Sequence, residues 1–80
     1  MDITIHFINS TKVQAVWLGT SVSNGAKNEE YVYDPTVEGL LSYIADQMED
    51  TGIVNFQTRQ AKEHVLIPME HVLMVSVVEV

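Results

Sequence analysis

The three histidines are the side chains best suited to bind a metal ion or to move a proton, and they are scattered along the chain. His6, His64 and His71 show no i, i+4 pair of the kind that forms a local metal site on a helix. The chain has no cysteine, so thiolate zinc sites and disulfides are excluded. We therefore predict surface histidines, with no metal site and no cofactor.

The hydroxyl side chains do not form a recognisable nucleophilic site. No serine stands in the Gly-x-Ser-x-Gly pattern of a nucleophile elbow. Residues 19–25 contain two glycines, but no Lys-Ser or Lys-Thr follows the second, so the segment is not a phosphate-binding loop. We predict that the protein is not an enzyme and has no catalytic residues.

Three carboxylates form a distinctive cluster near the end of a predicted helix. Asp46, Glu49 and Asp50 stand at i, i+3 and i+4 and share one patch of the helix surface. The helix dipole disfavours each of them there by about 0.3–1 kcal/mol. This arrangement is locally unfavourable and suggests a use, so we predict a patch that binds a basic protein. A divalent cation and a merely solvated polar face are the alternatives.

A polar segment, residues 19–30, is the second candidate for binding. Its Asn24-Gly25 pair favours a type I′ turn, which would extend the second strand to Ser23 and return the chain through residues 31–33. The alternative is a mobile loop. Connecting segments often carry binding residues. The candidate binding-loop residues are Ser21, Ser23, Asn24, Gly25 and Lys27.

Three aromatic residues raise the question of a platform on which nucleic-acid bases could stack. Tyr31 and Tyr33 point the same way on a strand, but the register of a type I′ hairpin turns Trp17 to the other face. We therefore expect Trp17 to lie in the core and the tyrosines to pack at an edge.

The elements that must position these residues follow from hydrophobic periodicity. Alternating segments and one helical segment predict a single α+β domain over residues 1–80, in the order β-β-β-α-β-β-β. Its sheet should be small and antiparallel, or a partly closed barrel. One helix over residues 35–50 should pack on the sheet, with Asp34 as its cap and Pro35 at its first position. Its apolar face is predicted from Val37, Leu40, Leu41, Ile44 and Met48.

The last strand, residues 72–78, is apolar almost throughout. A strand that is apolar on both faces is typical of a central position or of a subunit interface. We predict a homo-oligomer, with Val72, Met74, Val78 and Val80 as the candidate oligomer strand.

The net charge of −7 limits the partners. Only four firm cations are present, and proteins that bind phosphate backbones carry many more. The sequence shows no signal peptide and no apolar run near the ~20 residues of a membrane helix. We expect a cytoplasmic protein that binds neither nucleic acid nor membrane.

Two segments carry a coarse resemblance to a known family. Residues 3–14 resemble the strand, tight turn and strand that open many Sm-like barrels, and residues 64–75 look like the closing strands of such barrels. The resemblance implies an alternative function, a small barrel that binds RNA or single-stranded DNA. Our leading hypothesis is a non-catalytic, self-associating module that binds another protein, of the kind that phage and mobile-element genes often encode.

Overall fold

The computed structural model describes residues 1–58 and 63–78, and of Asn24 only the backbone. These residues form seven strands, one α-helix and a short 3-10 helix (Met69–His71). The strands and the α-helix are β1 (Asp2–Phe7), β2 (Lys12–Val16), β3 (Thr20–Asn24), β4 (Glu29–Tyr33), α1 (Val37–Asp50), β5 (Ile53–Thr58), β6 (His64–Pro68) and β7 (Val72–Val78).

The strands form two separate antiparallel sheets. The larger sheet has five strands in the order β6-β5-β2-β1-β7, and β3 pairs with β4 as a two-stranded hairpin. The α+β class and the helix packed on an antiparallel sheet are confirmed. The sheet is open rather than barrel-shaped, because over the described residues its edge strands β6 and β7 are not paired with each other. The closed form implied by the Sm-like resemblance is therefore wrong.

The core lies between the helix and one face of the five-stranded sheet. Ile3 and Ile5 of β1 alternate with polar residues, as predicted, and both are buried. Val54 and Phe56 of β5 repeat this pattern. Other core side chains come from β2, from β6, from the helix and from the hairpin, and Trp17 is buried among them. The prediction that Trp17 packs in the core is confirmed.

The second predicted strand is in fact two strands. β2 ends at Val16, and β3 begins only at Thr20. Gly19 lies between them with φ +78°, where a Cβ would come within 2.7 Å of the Tyr33 carbonyl oxygen. The chain thus turns away from the main sheet at a position that only glycine fits well. The hairpin is confirmed, but the type I′ turn is wrong: Asn24 pairs with Glu29 across a four-residue turn.

The helix begins two residues later than predicted. Thr36, not Asp34, is the N-cap, and its side chain accepts a hydrogen bond from the Gly39 N–H at 3.1 Å. The helix ends as predicted, with Gly52 at φ +73° just beyond it. Its predicted apolar face is only partly right, because Leu41 is 60% and Met48 56% exposed. Within the described ranges, no helix has the length and apolar character that crossing a membrane requires.

A close backbone contact sets the position of the helix. A Cβ on Gly39 would overlap the carbonyl oxygen of Asp34 and would lie 2.8 Å from its carbonyl carbon. The same carbonyl oxygen accepts a hydrogen bond from the Trp17 indole N–H at 2.9 Å. The helix is therefore in close backbone contact with the turn that precedes it. Leu40 and Tyr43 are buried, while Leu41 and Met48 remain exposed.

The last strand is not central. Within the described residues β7 pairs only with β1, so it forms one edge of the five-stranded sheet. Val75 and Val77 lie opposite Ile5 and Ile3 and pack against the core. The central position, one of the two alternatives for this strand, is wrong, whereas the subunit interface stays a prediction. Val80 lies outside the described residues.

Candidate functional site

A groove separates the β3–β4 hairpin from the C-terminal half of the helix. It is open to solvent and has a volume of about 760 Å³. We call it the hairpin groove. Its lining residues are Val22, Ser23, Gly25, Lys27, Tyr31, Tyr33, Asp46, Gln47, Glu49 and Asp50.

The hairpin wall of the groove is built by strand pairing. Val22 lies directly opposite Tyr31, and Thr20 lies opposite Tyr33. Residues directly opposed in an antiparallel pair, and every second residue along a strand, share a face. Val22, Tyr31 and Tyr33 therefore all face the helix. Tyr33 is buried at the base of this wall, while Tyr31 is 47% exposed.

The helix wall carries the predicted acidic patch, and Tyr33 ties it to the hairpin. The Tyr33 hydroxyl donates a hydrogen bond to Asp46 Oδ2 at 2.7 Å. This bond, with burial and the Asp46 charge, raises the pKa of Tyr33 to about 12. The hydroxyl therefore keeps its proton at neutral pH, and it orients one oxygen of the Asp46 carboxylate.

Tyr31 makes an equivalent contact on the hairpin itself. Its hydroxyl donates a hydrogen bond to the Glu29 carboxylate two residues earlier. That bond and the Glu29 charge raise the pKa of Tyr31. Both groove tyrosines thus hold a carboxylate in place and present a neutral aromatic ring beside it.

The charges of the groove favour a cationic ligand. Asp46, Glu49 and Asp50 contribute three carboxylates against the single ammonium of Lys27. In the described part of the chain, none of these carboxylates forms an ion pair with a lysine or arginine. The last helical turn has no basic residue to offset them. Carboxylates beside an exposed tyrosine ring suit a guanidinium or ammonium group, which gains from both.

The groove brings together two segments that were predicted separately. Ser23, Gly25 and Lys27 of the candidate loop face Asp46, Glu49 and Asp50 of the acidic patch. Ser21 lies opposite Val32 on β4 and is not among the described residues that line the groove. The side chain of Asn24 lies outside what the structure describes.

Sequence reasoning missed four residues that line the groove: Val22, Tyr31, Tyr33 and Gln47. The alternation of Tyr31 and Tyr33 was a usable signal, since it places both rings on one face. The register needed to point that face at the helix was not visible, because it depends on the break at Gly19.

The histidines occupy three different places. His6 Nε2 lies 3.1 Å from Ser76 Oγ on the sheet face away from the helix. His64 Nδ1 lies 3.2 Å from Asn55 Oδ1 at the opposite end of the same sheet. His71 lies in the 3-10 helix, with Nε2 3.5 Å from a Glu70 oxygen. Among the described residues, no group of three potential metal ligands comes together.

Comparisons with protein-family models, curated proteins and solved structures gave no match to this chain.

Proposed function

We propose that this protein is a non-catalytic interaction module whose hairpin groove binds a basic segment of another protein. The observation that carries the proposal is the groove itself, in which the acidic helix patch and the hairpin face each other. An acidic patch on a helix could be only a solvated surface. A patch that forms one wall of a cavity with aromatic residues opposite has the shape of a ligand site.

The chemistry of the groove supports a basic partner. A cation near Glu49 and Asp50 would offset the unfavourable placement of acids in the last turn of the helix. An arginine or lysine chain could also lay its aliphatic stem against Val22 and Tyr31 while its charged end reaches the carboxylates. Binding should therefore stabilise the end of the helix as well as neutralise the patch.

The non-catalytic part of the proposal rests on the separation of the reactive groups. The groove holds carboxylates and two tyrosines whose hydroxyls retain their protons. Among the described residues that line it there is no histidine, and Ser23 and Lys27 are not hydrogen-bonded as a nucleophile and its base. The histidines lie elsewhere, each with a different neighbour. We further propose a cytoplasmic location, in keeping with a chain that has no cysteine.

Self-association is the second part of the proposal, and a different surface supports it. The uncharged strand β7 lies at a sheet edge, away from the groove. A module that pairs at this edge would keep the groove open for its partner.

Peptide binding by paired charge variants tests the groove. The probe is a fluorescent hexa-arginine peptide, and the groove variant is Glu49→Lys with Asp50→Lys. The control is Glu63→Lys with Glu70→Lys, two exposed acids outside the groove that change the net charge equally. The groove variant should bind about tenfold more weakly, equivalent to roughly 1.4 kcal/mol, while the control stays within about twofold.

Two results would contradict the groove proposal. An equal loss in both double variants would mean that the peptide responds only to net charge. A single-stranded oligonucleotide that binds the wild type more tightly than the peptide does, with steep salt dependence, would favour the nucleic-acid alternative instead.

A further inference from the structure

Strand β7 leaves one edge of the five-stranded sheet open. Within the described residues it pairs with β1 on one side and with no strand on the other. In such a strand, alternate N–H and C=O groups point outward and can form a ladder with a further strand.

The outer strands β6 and β4 carry features that disfavour pairing, whereas the part of β7 after Leu73 carries none. β6 is shorter and ends at Pro68, which cannot donate a backbone hydrogen bond. β4 carries Glu29 and Glu30. β7 is the longest of the described strands, and its seven residues include neither a proline nor a charged side chain. Proteins normally protect long edges of this kind, so an unprotected one suggests use.

The pairing with β1 shows which part of β7 is regular. Met74 lies opposite His6 and Val72 lies opposite Phe7, which leaves Leu73 as an extra residue in a bulge. The regular part is therefore residues 74–78, centred on Ser76. Two copies paired antiparallel over this part would place Met74 against Val78 of the second copy, and the two Ser76 residues would face each other.

The charge distribution favours a second copy over a basic partner at this edge. Each chain carries a net charge of −7, so two copies repel one another wherever acids would meet. The edge of β7 has no acidic residue to create that repulsion. Without an acidic residue, the edge also offers no carboxylate to a basic partner, in contrast to the groove. The sequence is self-complementary, since each opposed pair over 74–78 is either apolar or serine with serine.

We infer that two copies of this chain associate by antiparallel pairing of their β7 strands, which joins their five-stranded sheets across a two-fold axis at Ser76. The inference rests on the proposed self-association and does not depend on the groove. Opposed residues share a face in an antiparallel pair. Both helices therefore lie on the same side of the joined sheet, and the dimer presents two hairpin grooves on that side.

A matched pair of methionine variants tests the surface. Met74 is 53% exposed on β7, and Met48 is 56% exposed on the helix, so Met74→Glu and Met48→Glu make the same change in similar exposure. Light scattering across a dilution series should show a wild-type dimer. Met74→Glu should raise its dissociation constant at least about tenfold, equivalent to roughly 1.4 kcal/mol, and Met48→Glu should leave it unchanged. A monomeric wild type, or equal effects of the two variants, would overturn the inference.

A cysteine variant tests the register. The chain has no cysteine, so any crosslink in Ser76→Cys must come from the introduced thiol. Directly opposed residues in an antiparallel pair have Cα atoms about 4.5–5.5 Å apart, within the range of a disulfide. Ser76→Cys should form a disulfide dimer on oxidation, whereas Leu66→Cys on β6 should not. A dimer in which Ser76→Cys fails to crosslink, or crosslinks no faster than Leu66→Cys, would refute pairing centred at this residue.

These tests are independent of the groove experiment. If both proposals hold, the double variant Glu49→Lys with Asp50→Lys binds the peptide more weakly but remains a dimer in light scattering. A monomer that still binds the peptide through the groove would remove the β7 inference and leave the groove proposal in place.

Discussion

Replacing Gly39 with alanine should destabilise the fold, although alanine is normally the better residue inside a helix. The helix packs so closely on the preceding turn that a Cβ at this position would overlap the Asp34 carbonyl oxygen. The obstruction is backbone, so no side-chain rotation can relieve it. Either the helix or the turn must move, and the turn is held by the Trp17 indole.

One stabilising and two destabilising contributions set the expected change in the free energy of unfolding. Alanine gains up to about 1 kcal/mol of helix propensity over glycine. Overpacking that forces a backbone shift costs about 1–3 kcal/mol. If Asp34 moves, the buried Trp17 N–H loses its acceptor, at about 1–3 kcal/mol. We expect a net loss of about 2 kcal/mol, which in a domain of this size lowers the melting temperature by roughly 10 °C.

Urea and thermal unfolding, followed by the fluorescence of the single tryptophan, would measure this loss. The control is Gly25→Ala, because a Cβ on Gly25 meets no atom within 4 Å. It should change the stability by less than about 0.5 kcal/mol. A Gly39→Ala variant as stable as the wild type would refute the reasoning.

A double-mutant cycle would test the cause. In a Trp17→Phe background the indole bond to Asp34 is already absent, so Gly39→Ala should cost less there than in the wild type. All four proteins of the cycle are followed by circular dichroism, because Trp17→Phe removes the single tryptophan. Equal costs in both backgrounds would show that the turn does not move and that the strain is absorbed elsewhere.

Two hydroxyl groups give further predictions. Tyr33 has a pKa of about 12, against about 10 when unfolded, so its bond to Asp46 stabilises the fold below pH 10 and is lost as the pH rises toward 12. Unfolding measured between pH 8 and 12 should therefore show a steeper alkaline loss in the wild type than in Tyr33→Phe, and parallel curves would contradict this assignment. The Tyr43 hydroxyl accepts from the Asn55 N–H at 3.0 Å and donates to the Asn55 carbonyl oxygen at 3.3 Å. Tyr43→Phe should cost about 1–3 kcal/mol in urea unfolding by leaving both backbone groups unpaired, and a neutral effect would show that water replaces the hydroxyl.

Local patterns predicted much of the fold. Ile3 and Ile5 share the core face of their strand, and Gly52 ends the helix, because alternation and termination are set by neighbouring residues. The prediction of the apolar face of the helix was less accurate. Leu41 and Met48 are apolar, yet both are exposed, and Gly39 lies in close contact with the backbone of Asp34. The contact between Gly39 and Asp34 could not be predicted, because hydrophobic periodicity does not reveal a backbone contact of this kind.

The order of strands in the sheet was beyond the reach of sequence patterns. A strand such as β7 has the same apolar composition at an edge as at the centre, and only its pairing distinguishes the two. The groove is a similar case. Asp46, Glu49 and Asp50 could be predicted as a patch, but not the hairpin that faces them, because its direction depends on one left-handed residue, Gly19.

The separation of the hairpin from the main sheet has a consequence for how this protein could diversify. In the part of the chain that the structure describes, the hairpin shares no hydrogen-bonded ladder with the five-stranded sheet, and its tip at residues 25–28 is exposed. Insertions at exposed loop tips are tolerated well, and lengthening a loop adds little entropic cost. The tip could therefore change in length and composition while the sheet stays intact. Related chains could share one scaffold and differ in the segments that they recognise.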